Sequence, residues 1–349
     1  MAAMRYRLLG GSGLKVSEVC LGTMTFGEEW GFGAAPEECG RMLEVFRARG
    51  GNFLDTANKY TEGASERIVG ELIRPDRERW VIATKYSLSM DEADPCASGN
   101  GRKNLVQAVE RSLRRLGTGY VDLLWVHAWD FTAPIDEVMR GLDDLVRAGK
   151  VLYVGVSDAP AWVVSRANTL AELRGWSRFV GLQIEYSLLE RTVERELIPM
   201  AAALGLHVLA WAPLAGGVLT GKYTRGGGAD TARGKDMNST RLDERGLQIA
   251  RALDQVADAV GRSPAQVALA WLQTRAAPVI PIVGARRAGQ LEDALGYLDL
   301  TLPAEQRGKL DQASAVALGF PHDFLGQDFV QQAVYGGTRD RLDLTLPGR

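Results

Sequence analysis

Four side chains of this 349-residue chain have types that could work together: Asp55, Tyr60, Lys85 and His127. A tyrosine starts with a pKa near 10 and is a poor proton donor at neutral pH. An ammonium beside it favours the phenolate and lowers that pKa. A buried lysine tends to lose its proton, and a carboxylate such as Asp55 would hold it charged. A histidine donates a hydrogen bond to a carbonyl oxygen, polarising and orienting it. Together they would form a device that gives a proton to an oxygen as charge develops there. They supply no electrons. A reduction therefore needs a cofactor and a proton-transfer isomerisation does not; the four side chains leave both open.

The elements that would gather them are read from a repeated alternation, in which short apolar runs rich in branched residues are each followed by a helix-like pattern. After an N-terminal hairpin around "YRLLGGSGLKV", the spacing predicts strands at 19–22, "NFLD", "VIAT", "VDLLWVH", "VLYVGVS", "VGLQIEYS", "HVLAWAP" and "PVIPIVG". The intervening helices are expected at 36–49, 65–73, in "NLVQAVERSLRRLG", and at 135–148, 161–173, 193–204, 244–260 and 264–274, with a last one at 288–295. Pro36 suits a first helical position. In the third helix Val106, Val109, Leu113 and Leu116 are expected on one buried face, with Gly117 ending it. A long loop over 214–243, with the run "GGGAD", exceeds the usual connection length and reads as functional.

Eight such units fit a closed (β/α)8 barrel with the helices outside. The whole chain, 1–349, then reads as one barrel domain, with a tail from about 305 packed over it. A doubly wound sheet would show a G-x-G-x-x-G turn opening the first helix; Gly10, Gly11 and Gly13 precede any long helix, so that fingerprint fails. Barrel chemistry sits at the C-terminal strand ends. Those ends carry Asp55, Lys85, His127, Ser157 with Asp158, Gln183, and Trp211 before Pro213. Tyr60 lies on the loop after Asp55.

Bulk composition narrows the classes. The formal charge is −2, with 41 Lys and Arg against 43 Asp and Glu, and no basic stripe suggests nucleic-acid binding. Three cysteines without a C-x-x-C pair point to a reducing cytoplasm, and three histidines do not make a zinc cluster. The uncharged run from Ala201 to Leu219 approaches a membrane-spanning length. Its Gly205, Pro213 and paired Gly216 and Gly217 make it a helix end, a turn, a buried strand and a loop. A monomer and a homo-oligomer fit equally.

The stretches "RLLGGSGLKVSEVCLGTMTFG", "FLDTANKYTEGASE", "DLLWVHAWD", "LDDLVRAGKVLYVGVSD", "QIEYSLLER" and "APLAGGVLTGKY" resemble, in order and over nearly the whole chain, the aldo-keto reductase family, in particular its bacterial-type branches and those like potassium-channel β-subunits. The resemblance implies a catalytic set of Asp55, Tyr60, Lys85 and His127, hydride transfer from NADPH to an aldehyde or ketone, and Tyr60 as proton donor. It also implies dinucleotide binding without a Rossmann fold. Ser157 and Gln183 would hold the nicotinamide carboxamide and Trp211 would stack on the ring. Asp158 stands where the family usually has asparagine, and Trp211 where tyrosine is common. Gly22, Thr23 and Met24 after the first strand, Pro213, and the backbone of Leu214, Ala215, Gly216 and Gly217 with Lys222 would complete the contacts to the ring and pyrophosphate. Gly284, Ala285, Arg286, Gln290 and Asp293 would receive the adenosine phosphate, with Arg286 favouring NADPH over NADH. Trp30, Phe32 and Trp129, with Tyr60, His127 and the tail around residues 320–324, are expected to line the site for a small carbonyl substrate. A dehydrogenase working mainly on alcohols, or a slowly turning nucleotide-sensing subunit of a membrane channel, shares the same residues.

Overall fold

The computed structural model describes residues 4–226, 239–275, 277 and 279–342. Most of the GGGAD run, Pro278 at the start of the last expected strand, and the tail beyond 342 lie outside the described residues. Strands β1 (Tyr6–Leu8) and β2 (Lys15–Ser17) form an antiparallel hairpin. The next eight strands are β3 (Cys20–Gly22), β4 (Phe53–Asp55), β5 (Val81–Tyr86), β6 (Val121–Val126), β7 (Val151–Ser157), β8 (Phe179–Glu185), β9 (His207–Trp211) and β10 (Val279–Val283). They pair in chain order, all parallel, and β10 closes on β3. The expected (β/α)8 barrel is the fold.

Strands covered on both faces read as continuous apolar runs rather than alternating ones, and all six residues of β5 and of β6 are buried. Inside the barrel, Phe53, Ala83, Leu123, Trp125, Leu209 and Ile280 fill the lumen; Leu9 and Val16 of the hairpin join them. The Gly10 N–H donates to His207 Nδ1 at 2.8 Å, at the first residue of β9. The hairpin thus seals the N-terminal end of the barrel and leaves the other end to the chemistry. Register does the rest: Gly22 stands beside Asp55, and Ser157 beside Gln183.

The outer layer comprises α1 (Pro36–Ala48), α2 (Ala64–Ile73), α3 (Arg102–Leu116), α4 (Ile135–Arg147), α5 (Ala161–Arg174), α6 (Leu197–Ala203), α7 (Glu244–Val260), α8 (Pro264–Gln273) and α9 (Ala288–Leu295). Local chemistry sets their ends. Asp243 caps α7 by accepting from the Gly246 N–H at 2.7 Å, and Pro264 opens α8 behind the Ser263 cap. Two sequence expectations need correction. Val106 is 39% exposed, because the buried stripe of α3 is centred on Leu105, Val109, Ser112 and Leu116. At about 100° per residue Val106 falls on its edge. The helix expected at 193–204 begins only at Leu197, after a separate 3₁₀ turn at Thr192–Glu194. Pro199 cannot donate an N–H and is tolerated only in a helix's first turn.

Beyond the barrel, α10 (Ala304–Ala313) packs on α7. Arg191 Nη1 ties it down, donating to the Asp311 carbonyl at 3.0 Å and to Ser314 Oγ at 2.9 Å. The short helices α11 (His322–Leu325) and α12 (Asp328–Tyr335) follow. Phe320, Phe324 and Phe329 there pack on one another and face solvent. Among the described residues, no helix is long and apolar enough to cross a membrane.

Candidate active site

Lys85 organises the barrel mouth. It ends the inward run of β5 with no solvent exposure, and its ammonium uses all three protons. Nζ donates to Asp55 Oδ2 at 2.5 Å, to the Thr56 carbonyl at 2.9 Å and to the Tyr60 hydroxyl at 2.9 Å. Burial alone would lower the lysine pKa; the Asp55 charge and the Tyr60 hydroxyl more than offset it, and the net direction is upward. Lys85 is charged. Asp55 is gripped from its other side by Gln183 Nε2, 3.0 Å from Oδ1.

Tyr60 reaches Lys85 from a turn whose backbone is forced. Thr61 and Glu62 follow it at φ 46° and 51°, the left-handed region that non-glycine residues rarely adopt. The Thr61 hydroxyl holds this turn, donating to the Phe26 carbonyl at 2.7 Å and accepting from the Ser65 N–H at 3.0 Å. The sequence argument expected the ammonium to lower the tyrosine pKa. In the structure burial is the larger influence and the net direction is upward, with Lys85 opposing it. Tyr60 is therefore a neutral phenol. The His127 ring meets the Tyr60 ring edge-on, with centroids 5.9 Å apart. Burial, then the Lys85 charge, pushes the imidazole well below its usual pKa, so it is neutral; its Nδ1 is buried without a hydrogen-bond partner among the described residues.

Around this centre, Trp30 packs edge-on against Tyr60, with centroids 6.4 Å apart, and at a tilt against Phe32 at 6.0 Å. Trp129 is 8% exposed and belongs to the core; it also lines a cavity of about 580 Å³ with Leu88, Cys96 and Ala128. Among the described residues, Phe320 has a ring contact with Phe324 and Phe324 with Phe329, none with the residues of the barrel mouth.

The residues expected to hold a dinucleotide are arranged along the same rim. Ser157 Oγ is buried and has no hydrogen-bond partner among the described residues. Trp211 Nε1 donates to Asp158 Oδ1 at 3.0 Å. Thr23 is buried under Asp55, its hydroxyl donating to the Asp55 carbonyl at 3.0 Å, and Met24 is half-buried. After Pro213 and Leu214, the residues Ala215, Gly216 and Gly217 all have positive φ. Lys222 Nζ lies against Gly217, where a Cβ would stand only 2.9 Å from it; only glycine lets the amine come so close. Past β10, Gly284 is exposed, and the Ala285 carbonyl accepts from Thr25 Oγ1 at 2.5 Å. The Arg286 N–H donates to Gln290 Oε1 at 3.0 Å. Asp293 is held by Ser263 Oγ at 2.9 Å and Gln266 Nε2 at 3.0 Å.

Three relationships escaped the sequence reading: the Gln183–Asp55 bond, the Trp30 Nε1 bond to Glu62 Oε1 at 3.1 Å, and the Arg241–Glu185 ion pair at 2.5 Å. Glu62 alone had a local signal, as an acid two positions after the loop tyrosine.

An eight-stranded barrel with a buried Asp–Lys pair under a loop tyrosine defines a class, and comparison with known proteins agrees. The model of the aldo/keto reductase family matches residues 18–315, and the chain belongs to that family. It is 38% identical over 344 residues to an aryl-alcohol dehydrogenase [NADP(+)] of Phanerodontia chrysosporium, covering 92% of this chain and 89% of that one. Norsolorinic acid reductase of Aspergillus flavus is 37% identical over 333 residues, covering 92% and 84%. Norsolorinic acid reductase B of Aspergillus parasiticus is 38% identical over 350 residues, covering 95% and 90%. An oxidoreductase of the aldo/keto reductase kind is the general activity these matches support.

Proposed function

We propose that the protein is an NADP(H)-dependent oxidoreductase that reduces aryl aldehydes and related aromatic carbonyl compounds, with Tyr60 as the proton donor. The observation that carries this reading is the shared ammonium: Lys85 bonds both Asp55 and the Tyr60 hydroxyl with no solvent access. A raised tyrosine pKa keeps the phenol protonated and ready to donate. The charged lysine beside it stabilises the phenolate left behind. Neutral His127 would donate its one N–H to the carbonyl oxygen and orient it toward Tyr60.

The residues present fit a nicotinamide dinucleotide. Ser157 Oγ is buried beside Gln183, with no hydrogen bond of good geometry and the Asp158 carboxyl as its nearest polar influence, and a carboxamide would complete it. Lys222 and the loop at Ala215–Thr220 suit a pyrophosphate, and Arg286 suits a 2′-phosphate with its two-pronged fork. Bound there, NADPH supplies the hydride. The aromatic substrate class rests on the Trp30–Phe32–Tyr60 contacts and on the aryl-alcohol dehydrogenase relative.

That relative's name also favours a second reading, oxidation of aryl alcohols. This direction needs Tyr60 to accept a proton, hence to be phenolate, and its raised pKa disfavours that at neutral pH. The test is to assay both directions while following nicotinamide absorbance, with aryl aldehydes against free sugars and aryl alcohols. Aryl aldehydes should give the highest kcat/KM at neutral pH, and Tyr60→Phe should lower it by roughly 10²–10⁴. Tight NADPH binding with no turnover in either direction would favour the nucleotide-sensing role instead.

A further inference from the structure

Helices α2 and α3 touch at Gly70, where a Cβ would stand 2.4 Å from the Leu116 carbonyl oxygen. Beside this contact lies a groove of about 440 Å³ on the outer wall of the barrel. Arg67 and Arg74 reach it from α2 and the residue after it, Arg111, Arg114 and Arg115 from α3; Glu71 is the one acid in its lining. Arg115 is fixed in place, its Nε 2.6 Å from Oε2 of the fully buried Glu66, whose Oε1 accepts from Thr84 at 2.6 Å. The side chains of Arg67, Arg74, Arg111 and Arg114 have no ion pair or hydrogen bond among the described residues. Arg67 and Arg115 converge over Gly63, where a Cβ would lie 2.8 Å from Arg115 Cδ and 3.5 Å from Arg67 Nη1.

Basic composition does not account for this crowding, since the chain's formal charge is −2. Arg114 and Arg115 complement the dipole at the end of α3. Arg67, Arg74 and Arg111 lie outside that turn, and they repel the others for no gain inside the protein. We propose that the groove is a binding site for a multiply charged phosphate anion, either an inorganic oligophosphate or the phosphate end of a phosphorylated metabolite. Planar guanidinium forks match phosphate oxygens in pairs, and the groove has the volume of a small-ligand site. Its only large apolar residue is Leu116, itself buried. No surface is available to grip a base or ring, so the phosphate chain is the whole of what is recognised. The site is separate from Arg286 and independent of the reductase reading.

Calorimetric titration with tripolyphosphate at low salt tests the proposal on the parent protein, on Arg111→Gln/Arg114→Gln, on Arg67→Gln/Arg74→Gln and on Arg286→Ala. Arg115 is left intact because it supports buried Glu66. The parent and Arg286→Ala should bind at the groove with the same affinity, and any second, weaker event at Lys222 and its loop should be unchanged in the double variants. Each double variant should bind at least roughly tenfold more weakly, as expected for lost charge-assisted bonds, and should melt no lower than the parent because like charges have been removed. ATP should bind Arg286→Ala no more tightly than tripolyphosphate does. Unchanged affinity in both double variants, loss of binding in Arg286→Ala, absence of binding in the parent, or clearly tighter ATP binding would each overturn the proposal.

Discussion

Gln183 Nε2 donates to Asp55 Oδ1 at 3.0 Å, joining positions 128 apart in the chain. With Lys85 on Oδ2, each oxygen of the carboxylate has its own donor, and Asp55 is oriented from β5 and β8 at once. Gln183→Leu should leave Oδ1 buried without its donor. Bonds to charged groups are worth about 1.5–3 kcal/mol, and urea unfolding at neutral pH should lose that much. Gln183→Glu sets a second carboxylate against the first; it should be worse at neutral pH and partly recover as the pH is lowered and one of the two takes a proton. A Gln183→Leu variant as stable as the parent would mean the bond contributes nothing.

Asp158 and Trp211 stand where the family resemblance leads one to expect asparagine and, often, tyrosine, and the structure pairs them through the indole N–H at 3.0 Å. The carboxylate therefore sets the tilt of the ring expected to stack on nicotinamide. Asp158→Asn keeps an acceptor oxygen and should keep the Trp211 environment and NADPH affinity close to those of the parent. Asp158→Ala frees the indole, so NADPH should bind more weakly and Trp211 should emit differently in the protein without cofactor. Trp211→Phe, which lacks the N–H, should make the Asp158 substitutions indistinguishable from one another in NADPH affinity.

The barrel was legible because each strand–helix unit carries its own period and its own stop, Gly117 after α3 being one instance, where φ is 63°. The polar strand ends were legible for the same reason: once strand ends are placed, Asp55, Lys85 and His127 converge by geometry. What failed was whatever depends on neighbours distant in sequence. Nothing in the vicinity of Gln183 indicates that its amide turns across the barrel to Asp55, four strands away. The direction of the Tyr60 shift also needed the structure, since it is a contest between burial and one ammonium, and sequence shows the ammonium without the burial. Val106 was misplaced because a helical stripe is several residues wide and its centre is set by tertiary packing.

The shifted groups define a pH window for stability. Burial lowers the pKa of His127 well below 6.5, and burial with the charge of Arg7 lowers that of His207. His207 Nδ1 must stay unprotonated to accept the Gly10 N–H. As pH falls through about 6.5 the unfolded chain takes up protons that the folded chain refuses, so stability falls. At the other end, Tyr60 is raised above 10.0 by burial, and Lys85, though burial lowers it, is raised above 10.5 by Asp55 and Tyr60 together. The unfolded chain loses these protons first, so stability falls again as pH rises past about 10. Melting temperature should be flattest between these limits. His207→Asn keeps an acceptor but cannot titrate, and it should make the acid limb shallower; an unchanged limb would remove His207 from this account.

Glu62 ties the aromatic wall to the proton donor's own turn. Its Oε1 accepts from Trp30 Nε1 at 3.1 Å, while Oε2 takes Lys59 at 2.8 Å. Its backbone is held at φ 51° two residues after Tyr60. The Lys59 and Trp30 bonds together lower its pKa, so it is a carboxylate at neutral pH. Trp30 is thus a ring held edge-on to Tyr60 by a hydrogen bond as well as by packing. Glu62→Gln retains an acceptor for the indole and should bind aryl aldehydes nearly as the parent does. Glu62→Ala frees Trp30; KM for aryl aldehydes should rise while kcat changes little, since Tyr60, Lys85 and Asp55 remain in place. One apolar contact is worth about 1–3 kcal/mol in such discrimination, so the preference over small aliphatic aldehydes should shrink without vanishing. Trp30→Ala should reproduce the effect, and adding Glu62→Ala to it should change nothing more. If Glu62→Ala instead lowers kcat for every aldehyde alike, the residue acts on the Tyr60 turn and the wall is held by packing alone.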